Sequence, residues 1–384
     1  MKKNPNVVVI GAGTLGMSTA ISLVERGAQV TVLEAQSIAS GSSGRSVGVV
    51  GSQMTNAFDV ELRKHSFDAF NRWEKEDGLT FNRIGYLRLA RTAEQMELFE
   101  KSVQMQTEAG FRAHVVPKDK LTEVVPHMDT DGLAGGVFGP DNGFIDPYEL
   151  CMMLAQKVKD LGGKVRQFCQ LESVERDGSG FVLHTSKGPI ECDMVVNAAG
   201  AWAPQVAEMF GQTLHICSMR HEAVPILLDQ PLGYKMPMVM DLVNGEGTGL
   251  NFRHENDKEL IAEIHVSSSV SSEDPDAYND QCDDESKYGL AELLLERLPD
   301  LPGARLGRGW AGLYPVTQDN YPFVGPIDPE DTSIITAAGA GGYGIQLAPV
   351  IGLVAADWVL HGEPVTVPNA LQLAPTPERN QPAL

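Results

Sequence analysis

Residues Gly11-Ala12-Gly13-Thr14-Leu15-Gly16 form a G-x-G-x-x-G run directly after the apolar stretch Val7 to Ile10. A first glycine permits a tight turn, a second lets backbone approach a pyrophosphate, and a third lets the next helix pack close to the strand. The helix start then offers unpaired N–H groups and the positive end of its dipole to a diphosphate. Glu34 ends the next strand-like stretch, where a carboxylate can hydrogen-bond ribose hydroxyls. The fingerprint predicts a dinucleotide site but does not separate NAD from FAD. A second run of small residues, 39–50 (ASGSSGRSVGVV), follows. Small residues let backbone touch a flat ring, and Ser42, Ser43 and Arg45 can donate to pyrophosphate or ring oxygens. Read by composition alone, the same run is also compatible with a flexible linker.

These residues need elements to hold them. The continuous apolar run from Val7 to Ile10 suits a parallel strand covered on both faces. Leu15, Ala20, Leu23 and Val24 then form a helical stripe that closes near Gly27, and Gln29 to Leu33 reads as a second strand, completing a βαβ unit. Helices are predicted over 58–78, 92–109 and 148–161, with a strand from Gly85 to Ala90 between the first two. Strands follow around 164–176, 180–186 and 190–197, the last running into Ala198-Ala199-Gly200. Residues 215–265 are strand-rich, with turns at Asp229-Gln230-Pro231 and Asn244-Gly245. Residues 271–287 are acidic and read as a surface loop. A helix over 288–298, a buried strand over 333–338 and a helix over 346–360 complete the pattern. The tail after 365 has no clear period.

The expected fold is therefore α/β, with a Rossmann-like nucleotide-binding domain that the chain leaves and re-enters. Residues 1–80, 141–214 and 321–384 are assigned to it, and 81–140 with 215–320 to a second, sheet-based substrate domain.

Composition narrows the function. The chain has 384 residues, 42% of them hydrophobic, and a net charge of −21. That charge argues against a general nucleic-acid or anionic-membrane binder, since both need basic surface. The five cysteines are odd in number and scattered without a C-x-x-C, so no disulfide framework or structural zinc is expected. Reduced thiols in a cytoplasmic protein are the simpler reading. The histidines lack metal-ligand spacing, and no metal is expected. Met1-Lys2-Lys3 before Val7 to Ile10 faintly resembles a signal peptide, but the apolar run breaks at once into glycine. Between Asp331 and Asp357 lie 25 uncharged residues, enough for a membrane span. Their glycines, Gln346 and Pro349 favour a buried strand, a glycine loop and a core helix instead.

Seven stretches together resemble the D-amino-acid oxidase superfamily, in particular its branch of sarcosine oxidase β-subunits, glycine oxidases and amino-acid dehydrogenases. They are VVVIGAGTLG (7–16), SGSSGRSVGVV (40–50), GYLRLA (85–90) and GPDNGFIDPYEL (139–150), then VVNAAGAWAP (195–204), GWAGLYPVTQDNYPFVG (309–325) and AAGAGGYGIQLAPVIG (337–352). Their order is the family's order and they span nearly the whole chain.

The resemblance implies a two-domain flavoenzyme of the glutathione-reductase-like type with FAD along the first domain. Gly11, Gly13, Thr14, Leu15 and Gly16 would meet the diphosphate, and Glu34 with Ala35 the adenosine. Ser42, Ser43, Arg45, Ser46 and Gly48 would lie beside the flavin or ribityl chain. Leu171 would meet adenine, with Ala199, Gly200 and Trp202 closing that side. Gly312 and Leu313, then Gly342, Tyr343, Gly344, Ile345 and Gln346, would wrap the isoalloxazine. Monomeric sarcosine oxidases carry a flavin-linking cysteine at the place matched by Gly312, so the FAD is expected to be non-covalent. Many relatives have histidine at Tyr343, and some have a carboxylate-binding lysine at Gln346, so the substrate pocket is expected to differ.

The resemblance further implies oxidation of a C–N bond in an amino acid or N-alkyl amino acid, by hydride transfer to flavin N5 and hydrolysis of the resulting imine. A 2-hydroxy-acid dehydrogenase is the alternative. A flavin-bound subunit of a larger electron-transfer complex is another, with a hetero-oligomeric or electron-accepting partner. No general base is identified. The substrate carboxylate needs a cation or several donors. The candidates are Arg253 and Arg45 first, then Arg220, His221 and Arg308. Tyr86, Tyr314 and Tyr343 are candidates for the pocket wall.

Overall fold

A computed structural model of the protein describes residues 4–242, 249–265 and 272–382. The predicted turn at Asn244-Gly245 lies outside the described residues. Six strands form the first sheet, in the order Phe323–Gly325, Ile334–Ala338, Met194–Asn197, Asn6–Ile10, Gln29–Leu33 and Lys164–Arg166. All neighbours are parallel except the edge pair 323–325 with 334–338. The central strand shows why its sequence is apolar throughout. Val7 and Val9 face helices Thr14–Val24, Ala57–Asp77, Pro147–Asp160 and Gly344–His361. Val8 and Ile10 face a three-stranded sheet of Leu171–Asp177, Gly180–Thr185 and Ile190–Cys192, together with Val206.

The uncharged stretch between Asp331 and Asp357 becomes the strand Ile334–Ala338, a short turn and the helix Gly344–His361. By length and composition, Gly341–His361 could cross a membrane, but 78% of its apolar window is buried inside the protein. The tail is also part of the core. Asp357, fully buried, accepts from Val365 N, Thr366 N and Arg26 Nη1, which brings Val367, Ala370 and Leu373 into the same apolar cluster.

Two predicted strands are divided. Residues 164–176 split between Lys164–Arg166 of the six-stranded sheet and Leu171–Asp177 of the small one. Residues 190–197 split at Asp193, whose N–H donates to the Asn6 carbonyl while its Oδ2 accepts from Asn6 N–H at 2.9 Å. That exchange redirects the chain from one sheet to the other.

The other large sheet has nine strands. Its main path runs Arg305–Leu306, Cys217–Leu227, Glu259–His265, Gly249–Asn256, Met238–Leu242, Tyr86–Ala90, Gly135–Gly139 and His114–Pro117, and Trp310–Val316 pairs with 217–227. One face packs Leu87, Leu89, Val224, Phe252, Leu260 and Ala262 against Leu290 and Leu294 of the helix Asp284–Arg297. That helix starts inside the stretch read as an acidic loop, at Asp284. Register carries one row of side chains across the opposite face. Arg88 pairs with Met240, Met240 with Asn251, Asn251 with Glu263, and Glu263 with Ala223.

Candidate active site

The G-x-G-x-x-G turn sits at the C-terminal end of the central strand, where ligands of open parallel sheets bind. Gly11 holds φ at +107°, and a Cβ there would lie 2.4 Å from the Ala198 carbonyl oxygen. Gly16 backs onto Gly11, since its Cβ would stand 2.0 Å from the Gly11 carbonyl oxygen. Gly13 precedes the helix Thr14–Val24 without a side-chain cap of its own. Ser43 Oγ accepts from Thr14 N–H at 3.0 Å, tying the second small-residue run to the helix start. That run is an ordered turn with a 3-10 segment at Ser43–Arg45, and not a linker. Glu34 accepts from Ala12 N–H at 2.9 Å and from Gln36 N–H at 2.8 Å.

These segments line a cavity of about 400 Å³. Its wall contains Gly11, Gly13, Thr14, Leu15, Glu34, Ala35, Ser42, Ser43 and Ser46 from the first βαβ unit and its following loop. Leu171, Ala199, Gly200 and Trp202 stand on a second side, and Gly342, Gly344, Ile345 and Tyr314 at another. The residues present fit a dinucleotide: a glycine cradle at a helix start whose N-cap, Gly13, has no side chain, a carboxylate at the end of the next strand, and the apolar Leu171 in the wall. The acidic stretch contributes more than surface. Asp276 lines the cavity and accepts from Trp202 Nε1 at 2.7 Å, so this loop reaches its wall. Gln205 and Met209 also line it. Nothing in their sequence spacing marks them, because the helix Ala203–Met209 is placed by the sheet below it.

The other expected cofactor residues lie behind or beyond this wall. Gly48 is held by Ile145 N–H donating to its carbonyl at 3.0 Å. Arg45, Gly312 and Leu313 line a smaller cavity with Val47, His221, Glu263 and Trp310. Ser42, Ser46 and Tyr314 belong to both cavities and join them. A Cβ at Gly312 would stand 2.9 Å from Arg45 Cβ, so the arginine stem occupies the space beside that glycine. Gln346 is buried, and its Oε1 accepts from Gly51 N–H at 3.2 Å, which leaves its amide NH₂ as a donor.

Of the three candidate tyrosines Tyr86 is buried and Tyr314 half-buried, whereas Tyr343 is 41% exposed and lines neither cavity. Tyr86 packs against Gly51, and Tyr314 against Gly342, the neighbour of Tyr343. Burial pushes the phenols of Tyr86 and Tyr314 well above their ordinary range, so both are neutral donors at physiological pH.

The arginines come out differently from the sequence expectation. Arg253 is only 4% exposed and lines neither cavity. Its Nε donates to the Val47 carbonyl at 2.9 Å, its Nη1 to Glu255 at 2.5 Å and to the His254 carbonyl, and its guanidinium stacks 3.8 Å over Phe144. It braces the small-residue loop from behind. Arg45 donates to the Ser40 carbonyl at 2.5 Å and faces Asp280 at 3.6 Å. Arg220 pairs with Glu222 and Asp283, and Arg308 with Gln281. His221 stacks on Tyr314 at 3.9 Å between ring centroids.

Three polar residues near these walls were not singled out by sequence. Arg63 is 1% exposed, pairs with Asp59 at 3.1 Å, leaves its Nε without a partner among the described residues and lies 5.4 Å from the Tyr343 ring centroid. Glu263 stands half-buried in the wall of the smaller cavity, and burial raises its carboxyl above the ordinary range, against the lowering effect of Asn251 and Arg253. Asn251 Nδ2 donates to Glu263 Oε1 at 3.2 Å, and the Asn251 Oδ1 is buried without a partner among the described residues. The one available signal was a carboxylate inside the apolar strand LIAEI; its pairing with Asn251 depends on strand register.

Comparison with known proteins agrees with this geometry. The model of the FAD dependent oxidoreductase (DAO) family matches residues 6–358. Mitochondrial dimethylglycine dehydrogenase of Rattus norvegicus is 27% identical over 94% of the chain, which spans 44% of that relative's length. Glycine oxidase of Geobacillus kaustophilus is 24% identical over 96% of the chain and 95% of its own length. Among solved structures, L-proline dehydrogenase from P. horikoshii superposes with a TM-score of 0.86 at 26% identity, covering 98% of each chain. The chain belongs to the DAO family of FAD-dependent oxidoreductases.

Proposed function

We propose that this protein oxidises a C–N bond of an amino acid or N-alkyl amino acid, using FAD held without a covalent bond in the larger cavity. The observation that supports the reading is Tyr314, shared by the larger cavity and the smaller one that Arg45, Glu263 and Gly312 line. FAD supplies the hydride acceptor when bound. The chain's own residues bind and orient. Gly11, Gly13 and the start of the helix Thr14–Val24 receive the diphosphate, and Glu34 the adenosine ribose. Ser42, Ser43 and Ser46 line the ring's approach, and Gly342 to Gln346 close over it. The absence of a side chain at Gly312, and the Arg45 stem beside it, support non-covalent retention.

On the substrate side, Tyr86 and Tyr314 supply an aromatic wall with Tyr343 at its solvent edge, and the Gln346 amide offers a donor. Arg253 and Arg45 turn their guanidinium groups to other partners; Arg63 pairs with Asp59 but keeps its Nε without a partner among the described residues and lies beneath Tyr343, which makes it the better source of positive charge for a carboxylate. Dimethylglycine, glycine and proline in the relatives' names are all carboxylates with an α-nitrogen, which supports this substrate class.

The segregation of strands between the two large sheets supports a division into residues 1–80, 141–214 and 321–384 for the cofactor and 81–140 and 215–320 for the substrate. Five free cysteines support a reducing compartment such as the cytoplasm. The test is anaerobic titration of the purified holoprotein with amines, amino acids, N-methyl amino acids and 2-hydroxy acids. Bleaching of the flavin by amino acids is expected. Bleaching only by 2-hydroxy acids would replace this reading with the dehydrogenase alternative.

A further inference from the structure

We propose that the Glu263 carboxylate receives the substrate's ammonium group and takes its surplus proton, leaving the neutral amine from which hydride can depart. The inference rests on the reading above and adds the acid–base group that the reading lacks.

An amino acid in neutral water carries an ammonium nitrogen with no lone pair. Loss of hydride from the adjacent carbon needs that lone pair, so one proton must leave first. The step breaks one N–H bond and forms one O–H bond on Glu263, and no electrons change hands. The proton returns to solvent with product release.

The geometry supplies a suitable acceptor. Glu263 lies on the strand face turned away from the apolar core, in a cavity wall with Tyr314 and the Ser42–Val47 turn. Asn251, directly across the strand pair, donates its Nδ2 to Glu263 Oε1 and so holds the carboxylate in place. The same geometry leaves Asn251 Oδ1 without a partner among the described residues, although the residue is 2% exposed. A carboxylate beside a bare amide oxygen is a pair of acceptors, which matches an N–H donor and not a substrate carboxylate. The charged neighbours are mostly paired among themselves. Arg253 on the neighbouring strand lowers the Glu263 carboxyl but is paired with Glu255, Arg45 in the same cavity wall faces Asp280, Glu222 pairs with Arg220, and Tyr314 and Tyr86 stay neutral. His221 shares the cavity wall and stacks on Tyr314. Burial makes the Glu263 carboxylate a stronger base than a solvated one.

The test is Glu263→Gln, which keeps an oxygen to accept from Asn251 but cannot take a proton. FAD content and the visible spectrum check that the variant is folded. Stopped-flow flavin reduction with the best amino acid then gives the second-order rate from pH 6 to 10. The variant can use only free amine, so its rate should fall about tenfold per pH unit below the amine's own pKa. For an amine near pH 10 the deficit against wild type should approach ~1,000-fold at pH 7 and vanish near pH 10. A uniform loss at all pH values, or parallel profiles, would show a merely structural role and overturn the proposal. Should the variant not fold, proton release decides the matter in the wild type alone. Mixing substrate with holoenzyme in weakly buffered indicator dye should release no proton on binding; release of one per site overturns the proposal. A wild type that no amine or amino acid reduces would sink the proposed function, and this step with it.

Discussion

Gly13→Val and Gly16→Ala separate a side chain that blocks a ligand from one that breaks the fold. At Gly13 the backbone has φ −77°, ordinary for any residue, and the neighbour its Cβ would meet is Ser43 Oγ at 3.0 Å, the end of a side chain that can turn. The folding cost is therefore small. The valine methyls instead enter the cavity at the helix start. Filling occupied space typically costs about 1–3 kcal/mol, which here falls on FAD and weakens it by roughly 5–150-fold. Gly16 is the opposite case. A Cβ 2.0 Å from a backbone oxygen meets an atom that cannot turn aside. Its cost should reach about 3 kcal/mol or more, lowering the apoprotein's melting temperature by roughly 6–12 °C on the scale of 150–250-residue domains. The assay is FAD titration of the stripped protein by fluorescence quenching, beside thermal melts without FAD. Wild-type affinity in Gly13→Val would refute the diphosphate assignment. An apoprotein of that variant melting as low as Gly16→Ala would show that the space is structural.

Acid precipitation should leave the flavin in the supernatant; colour in the pellet would demand a covalent link at some residue other than Gly312. Glu34→Ala should weaken FAD by roughly 5–150-fold, the equivalent of about 1–3 kcal/mol for lost charge-assisted hydrogen bonds, and a fully loaded variant would remove Glu34 from the site. Arg253→Ala should cost about 3 kcal/mol of stability by stranding the Val47 and His254 carbonyls and Glu255. An unchanged melting temperature with a raised substrate requirement would return Arg253 to the substrate wall. Burial lifts the Cys192 thiol to about 12 and the Cys282 thiol to about 11. At pH 8 their thiolate fractions are then below about one in a thousand, and mass spectrometry should find both labelled by iodoacetamide only after unfolding.

What sequence could and could not disclose divides along one physical line. The cofactor cradle was legible because each of its demands is local: a glycine where backbone must pass backbone, a carboxylate one strand further on, small residues at the following turn. The helices Ala57–Asp77, Ala93–Glu108 and Pro147–Asp160 were equally open to reading, since an N-cap residue and a periodic apolar face mark each one. Asp193 was not legible as a break, because the strand it interrupts is ended by Asn6, 187 positions away. The substrate face is less legible for the same reason in a stronger form. Arg253 was favoured because it stands in the substrate domain, yet its partner Glu255 lies two residues along the same strand and its other contact, Val47, is in the cofactor loop. Arg63 reads as an ordinary residue of an amphipathic helix, and only packing sets it beneath Tyr343. Glu263 becomes notable only once strand register sets it opposite Asn251 and beside Tyr314. A family whose members share one cofactor but differ in substrate would be expected to look like this. The shared chemistry needs fixed local backbone and leaves motifs, whereas the differing chemistry is carried by single side chains on a common sheet face. Changing one such residue alters what the pocket accepts without disturbing any motif that identifies the fold.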